Sequence, residues 1–356
     1  LGDGSNTNRT IPTDITDSFN LDDGEYIKHI SMAPFSASAI SSKGRLFTWG
    51  DGNNNSPEEI TYLFNLETDE IITSVFQSMN KNLVFTSDGR IFEWNLFKLI
   101  KTRDITNLFN LDEEETIVKT VSGGFHYLFL TSKGKIMTLG ENMYGQLGNG
   151  STVSSEIPLD ITNQFDFLED EVIVDISTGS FHSMSITSSN RVFTWGSNLN
   201  GQLGDGAFES SYVPLDITNN FTLSEEEIIT KIFAGGGSSF VITSENQIFT
   251  WGMKYVDAGG LLLIGSINFP QTFNEEFTLA SDEKIVDLYS SGNSFIAYTT
   301  NQEYLVWGKN DFGQIAIGSF SIFESPQELP IFNAEFLDEV EYYYNETIRE
   351  YIPTKE

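Results

Sequence analysis

Cysteine is missing altogether from the 356 residues, which removes disulfide scaffolds, zinc fingers, iron–sulfur sites and cysteine nucleophiles in one step. Positive charge is scarce too. Nineteen lysines and arginines face 51 acids, for a formal net charge of −32. A polyanion repels phosphate backbones, so nucleic acid is excluded as a general partner while neutral or basic protein surfaces stay open. No apolar run approaches the ~18 residues that a spanning helix requires, so membrane insertion is not expected. The start shows no signal-peptide pattern, and Leu1-Gly2-Asp3-Gly4 reads like the interior of a longer chain. Against these absences stand 39% hydrophobic and 13% aromatic residues, enough for a substantial core and incompatible with wholesale disorder.

The decisive presence is a repeat. Trp49-Gly50, Trp94-Asn95, Leu139-Gly140, Trp195-Gly196, Trp251-Gly252 and Trp307-Gly308 are spaced by 45, 45, 56, 56 and 56 residues, and every tryptophan of the chain sits at this phase. Phe19, Phe64, Phe109, Phe165, Phe221 and Phe277 keep the same rhythm, and Phe336 reads as a seventh copy. Two independent markers with one rhythm leave little to chance. Within the clearest unit, Val172 to Ile176 is β-branched and apolar, while Ser183 to Thr187 and Arg191 to Trp195 alternate with period two around a Ser188-Ser189-Asn190 turn. A glycine-rich loop then leads to Val213-Pro214-Leu215-Asp216-Ile217, where proline suits a strand start or sheet edge. Nothing sustains a helical period outside the acidic tail near residues 335–350. Four strands per ~45–56 residues, repeated six or seven times, predict an all-β propeller.

Gly140 to Gly150 (GENMYGQLGNG) and Gly196 to Gly206 (GSNLNGQLGDG), preceded by Gly179-Ser180-Phe181-His182-Ser183, resemble the loop and the G-x-x-H-S turn of the regulator-of-chromosome-condensation repeat family. The resemblance covers essentially the whole chain and implies seven blades. Units around Trp49 and Trp94 lack the long loop, the one after Trp251 replaces it with residues 253–260, and the one after Trp307 degrades it. We therefore expect a seven-bladed propeller of four-stranded blades in residues 1–340, with six blades as the alternative. The seventh blade would be shared between the termini, with 341–356 as closing strands or the entry to a further domain. Val340 to Tyr344 and Thr347 to Ile352 would be those strands, and Leu1 to Gly4 the end of a loop.

Most of the singled-out side chains read as scaffold. The tryptophans anchor blades, and no phosphate-cradling lysine accompanies the loop glycines. His126 and His182 share one repeat position, but its other occupants, Ser36, Lys81, Ser238 and Ser294, cannot complete a metal shell; we expect these histidines to bond backbone at a blade turn. Acidic clusters follow each Phe marker, from Asp22-Asp23-Gly24-Glu25 to Asp338-Glu339, and predict an acidic ring on one rim. That ring would solubilise the protein, or take a basic partner or calcium. The opposite face carries the turns before the repeat histidine. There Phe35, Met79, Asn80, Lys81, Phe125, His126, Phe181, His182 and Asn293 are the candidate binding residues, with the phenylalanines as anchors or, alternatively, as core. In the family this turn lines faces used for protein pairing.

These features point to a non-enzymatic protein-interaction propeller without cofactor. Codon bias toward Asn, Ile, Phe and Lys and the missing cysteines suggest a surface or secreted protein of a low-GC bacterium, with a cytoplasmic location as the alternative. Two rivals remain. One is an enzyme regulator, either an inhibitor or a guanine-nucleotide exchange factor, for which Lys254 to Leu263 is the only irregular insertion. The other is a propeller lyase, for which no unique His, Arg, Tyr and acid cluster exists.

Overall fold

The computed structural model describes residues 1–33, 35–50, 54–79, 81–95, 102–257 and 262–329. Those residues form six four-stranded antiparallel sheets, each with its strands in simple sequential order. We number them blade 1 (27–59), blade 2 (72–104), blade 3 (117–160), blade 4 (173–216), blade 5 (229–272) and blade 6 (285–328). Blade 4 shows the pattern: Ile173–Thr178, His182–Thr187, Val192–Gly196 and Ser211–Asp216. The sequence predicted each of these strands to within two residues. First strands of successive blades pack side by side, and residues from all six line an axial cavity of about 100 Å³.

All five tryptophans lie in a third strand and are buried. Each sits edge-on to a phenylalanine of the marker set, as in the Phe64–Trp94 pair (5.7 Å between ring centres) and the Phe165–Trp195 pair (5.7 Å). The two sequence rhythms are thus the two halves of one aromatic contact, repeated from blade to blade.

The blade count corrects the sequence expectation: the described residues form a propeller of six blades, not seven. Leu1 to Gly4 does behave as a loop end, with Gly2 against the Trp49 indole and Gly4 donating to the Asn55 carbonyl (2.9 Å). Farther on, the Thr10 carbonyl accepts from Gly318 (2.7 Å). Residues 1–15 therefore reach from blade 6 to blade 1 as an irregular strap, without any strand of their own. A motif fragment makes the contacts of a seam without making a sheet, because a strand needs ladder partners. Phe336, Asp338-Glu339 and the expected closing strands at 340–352 lie outside the described residues, as does Asn80.

Candidate protein-interaction face

Antiparallel order sends the first turn of each blade and the connection after its third strand to the same end of the propeller. The second turn and the acidic connection between blades go to the other. Each end has its own chemistry.

At the acidic end, the last glutamate of each of the six described clusters turns inward. Glu25, Glu70, Glu115, Glu171, Glu227 and Glu283 are all buried. Each accepts the backbone N–H three residues earlier, as Glu171 does from Leu168 (2.7 Å). In four blades a cation of the chain itself completes the turn. Arg45 bridges Glu25 and Glu59 (2.9 and 2.8 Å), Arg191 bridges Glu171 and Asp216 (both 2.8 Å), and Arg90 and Lys135 engage Glu70 and Glu115. Arg90 holds the Glu70 carboxyl down at about 2. Blade 5 has Gln247 in that register, and blade 6 has Glu303, whose carboxyl is pushed up by burial and by Glu283 and Glu328. Part of the expected acidic ring is thus spent on structure, and no group of three or more His, Asp or Glu among the described residues converges on a metal position.

At the other end the long loop is built around one asparagine. Asn142 donates from Nδ2 to Asn149 Oδ1, Ser151 O and Val153 O (2.9–3.1 Å), and its Oδ1 accepts from the Leu147 N–H (2.9 Å). Asn198 repeats part of this arrangement. Asn310 does so too, although the sequence around it looked degraded.

The loop of one blade then serves the next. The Gln146 carbonyl accepts from Trp195 Nε1 (3.0 Å) and from Ser183 Oγ (2.9 Å), both in blade 4. The Gln202 carbonyl does the same for Trp251 (2.8 Å) and Ser239 (2.8 Å) of blade 5.

The histidines join this system, and here the structure departs from expectation. They bond a side chain of the following blade, not backbone: His126 Nε2 lies 2.8 Å from Ser183 Oγ, and His182 Nε2 2.9 Å from Ser239 Oγ. Each serine proton goes to a glutamine carbonyl, so the imidazole must donate from Nε2 and carry a bare Nδ1. That Nδ1 is buried without a partner in both. Burial pushes both histidines down to about 3, so both are neutral. A Ser–His pair at hydrogen-bond distance suggests nucleophilic chemistry, but both residues are fully buried and the hydroxyl points away from the ring. The pair is a clasp between blades.

The remaining predicted residues divide. Phe125 and Phe181 stack (4.7 Å, 15° between planes), and Tyr144 meets Phe181 edge-on at 5.2 Å; both phenylalanines are half-buried. Phe35 is 66% exposed. Met79 donates its N–H to Gly124 O (2.9 Å), Lys81 pairs with Glu93 (3.3 Å), and Asn293 accepts from Gly237 (3.2 Å), so these three also serve the framework. Sequence reasoning missed Met143 (63% exposed), Leu199 (62%) and Phe312 (61%). They occupy the variable positions of loops that were read as scaffold for their glycines. An apolar residue at the tip of a glycine-rich loop was the available signal.

Residues 133–186 and 189–242 match the regulator of chromosome condensation (RCC1) repeat, as do 173–202 for a second form of it. Residues 133–242 thus carry RCC1-type repeats, within a β-propeller. An RCC1 repeat-containing protein of Dictyostelium discoideum is 28% identical over 200 residues, covering 55% of this chain and 40% of that protein, so the match spans less than half of its relative. Among solved structures, human WBSCR16 superposes with a TM-score of 0.71 at 18% identity, covering 87% of this chain and 83% of that one. Prp20p of Saccharomyces cerevisiae, solved in a study of its binding to Gsp1p and histones, gives 0.66 at 17%, covering 88% and 78%. At such identities the likeness to these solved propellers is one of fold.

Proposed function

We propose that this propeller is a non-enzymatic protein-interaction module that binds through the loop face. One observation carries the reading. Phe35, Met143, Leu199 and Phe312 each expose more than half of a large apolar side chain at that end, which also carries the Phe125–Phe181–Tyr144 stack. Exposed apolar tips on several blades of one end, in a chain of charge −32, mark a place where water can be displaced by a partner. The anchors spread over several blades, as an interface of ordinary size requires. The reading as a bacterial surface or secreted protein rests on composition alone, and the relative reported above is eukaryotic.

A second reading, regulation of a bound enzyme, draws support from one element. The third and fourth strands of blade 5, Ile248–Asp257 and Leu262–Thr272, run 10 and 11 residues and pair out to Asp257 and Leu262. The insertion read as irregular in the sequence is a hairpin projecting from the loop end, the shape that an exchange-factor wedge needs.

Capture from extract by the wild type, by Phe35→Asp and by Phe125→Ala/Phe181→Ala tests the main reading. Proteins held by the wild type should be lost from Phe35→Asp, whose melting temperature should not move. The double variant should weaken the complex by at least ~2 kcal/mol. Equal capture by all three overturns the reading, and a lowered melt of the double variant alone would return those two rings to the core.

A further inference from the structure

The seam between blades 5 and 6 differs from the two before it. At Trp195 and Trp251 the preceding loop lies over the indole, with the fully buried Leu147 or Leu203 beside the accepting carbonyl. Blade 5 sends out its hairpin in place of that loop, and a crevice of about 30 Å³ is left at Trp307. Its walls are aromatic. Phe240, Phe273 and Phe295 lie 6.1, 6.0 and 5.4 Å from the Trp307 ring, and Phe323 adds a further face. Glu324 also lines the crevice, and its Oε1 is buried with no hydrogen-bond partner. Lys254, which also lines the crevice, is tied to Glu276 at 3.5 Å, and Glu324 takes part in none of the ion pairs among the described residues.

A carboxylate oxygen without a partner among ring faces is costly to keep, and a cation is what both would favour: the rings through their quadrupoles, the oxygen through its charge. The volume suits a group of one or two heavy atoms, which leaves room for an ammonium and its neighbouring methylene and none for a phosphate or a ring. We propose that this crevice is a socket for an alkylammonium group, the end of a lysine side chain on a protein partner. Only the source of the lysine rests on the interaction reading above; the socket can be tested without it.

The probe is n-butylammonium, a lysine side chain without its backbone, followed by saturation-transfer NMR on the full chain in 150 mM NaCl, with n-butanol as the uncharged match. The ammonium should show saturable transfer, n-butanol little, and Glu324→Gln should weaken the ammonium at least fivefold with an unchanged melt. Equal transfer to n-butanol, or an ammonium signal untouched by Glu324→Gln, overturns the socket. An Nα-acetyl-lysine amide that fails to compete with n-butylammonium overturns the assignment to lysine. If the socket holds while the loop-face variants lose no partner, the interaction reading fails by itself.

Discussion

The seams entering blades 4 and 5 and the seams entering blades 2 and 3 solve one problem in two ways. In the first pair, a glycine-rich loop from the preceding blade supplies a carbonyl, and a tryptophan and a serine of the next blade use it. Blade 1 lacks the long loop, and the Trp94 indole N–H of blade 2 is buried without an acceptor. Blade 2 lacks it as well, and blade 3 carries Leu139 in place of tryptophan, which has no proton to place. The histidine follows the same logic. His126 and His182 are each followed one blade later by serine, whereas Ser36, Lys81 and Ser238 are followed by Asn82, Tyr127 and Phe295. The repeat motif is therefore not a property of one unit. Its donors and acceptors belong to adjacent units: blade 3 has lost both loop acceptor and indole, whereas Trp94 keeps a buried N–H without its acceptor, a mismatch that costs about 1–3 kcal/mol.

The comparison can be broken most forcefully at Trp195. Its replacement by alanine should cost about 3–5 kcal/mol in urea-monitored unfolding, since a fully buried ring is removed and a cavity is left between blades. A loss below 1 kcal/mol would mean that the seam is not packed as described.

Acid should open the clasped seams next. His126 and His182 are held to about 3 when folded and return to the ordinary ~6.5 when unfolded, so the unfolded chain binds more protons and stability falls as pH drops below about 6.5. For two such groups the loss between pH 7 and 5.5 is about 2–3 kcal/mol. The paired glutamates are depressed carboxylates, and their contribution is lost only at lower pH, below the ordinary carboxylate value. Calorimetry across pH 5.5–7 on His126→Gln/His182→Gln should show a flatter slope; an unchanged slope would remove the histidines from the explanation.

The finest distinction lies between two phenylalanine substitutions. Trp195→Phe removes an indole N–H that has a partner and leaves the Gln146 carbonyl with one donor fewer, whereas Trp94→Phe removes one that has none. Both lose similar ring volume, so Trp195→Phe should be the costlier by about 1 kcal/mol. Equal losses in parallel denaturant titrations would show that the loop carbonyl contributes nothing to the seam.

What the sequence made legible follows from the range of the physics involved. Strands, turns and tryptophan positions are set by alternation and phase within a unit, and they are where the rhythm placed them. The blade number is a closure property, and a single loop fragment at Leu1 to Gly4 could not distinguish a strap from a sheet. The partner of His126 stands 57 residues away, one repeat period plus one, so the turn that holds the histidine gives no sign of the serine it bonds in the next blade. The exposed Met143, Leu199 and Phe312 were hidden by the attention that glycines attract. Burial of the cluster glutamates was equally invisible, since a carboxylate capping its own turn and one facing water look alike in a string of acids.

The borrowed carbonyl gives the ring a direction. Every documented dependence runs from a blade to the one after it in the chain: loop to indole, imidazole to hydroxyl. Damage should travel the same way. A lesion in the Gln146 loop should loosen amide-exchange protection at Ser183 and Trp195 and leave blade 2 as it was. A ribosome making this chain delivers each loop carbonyl before the indole and hydroxyl that donate to it, so blades 4 and 5 emerge onto a template already waiting.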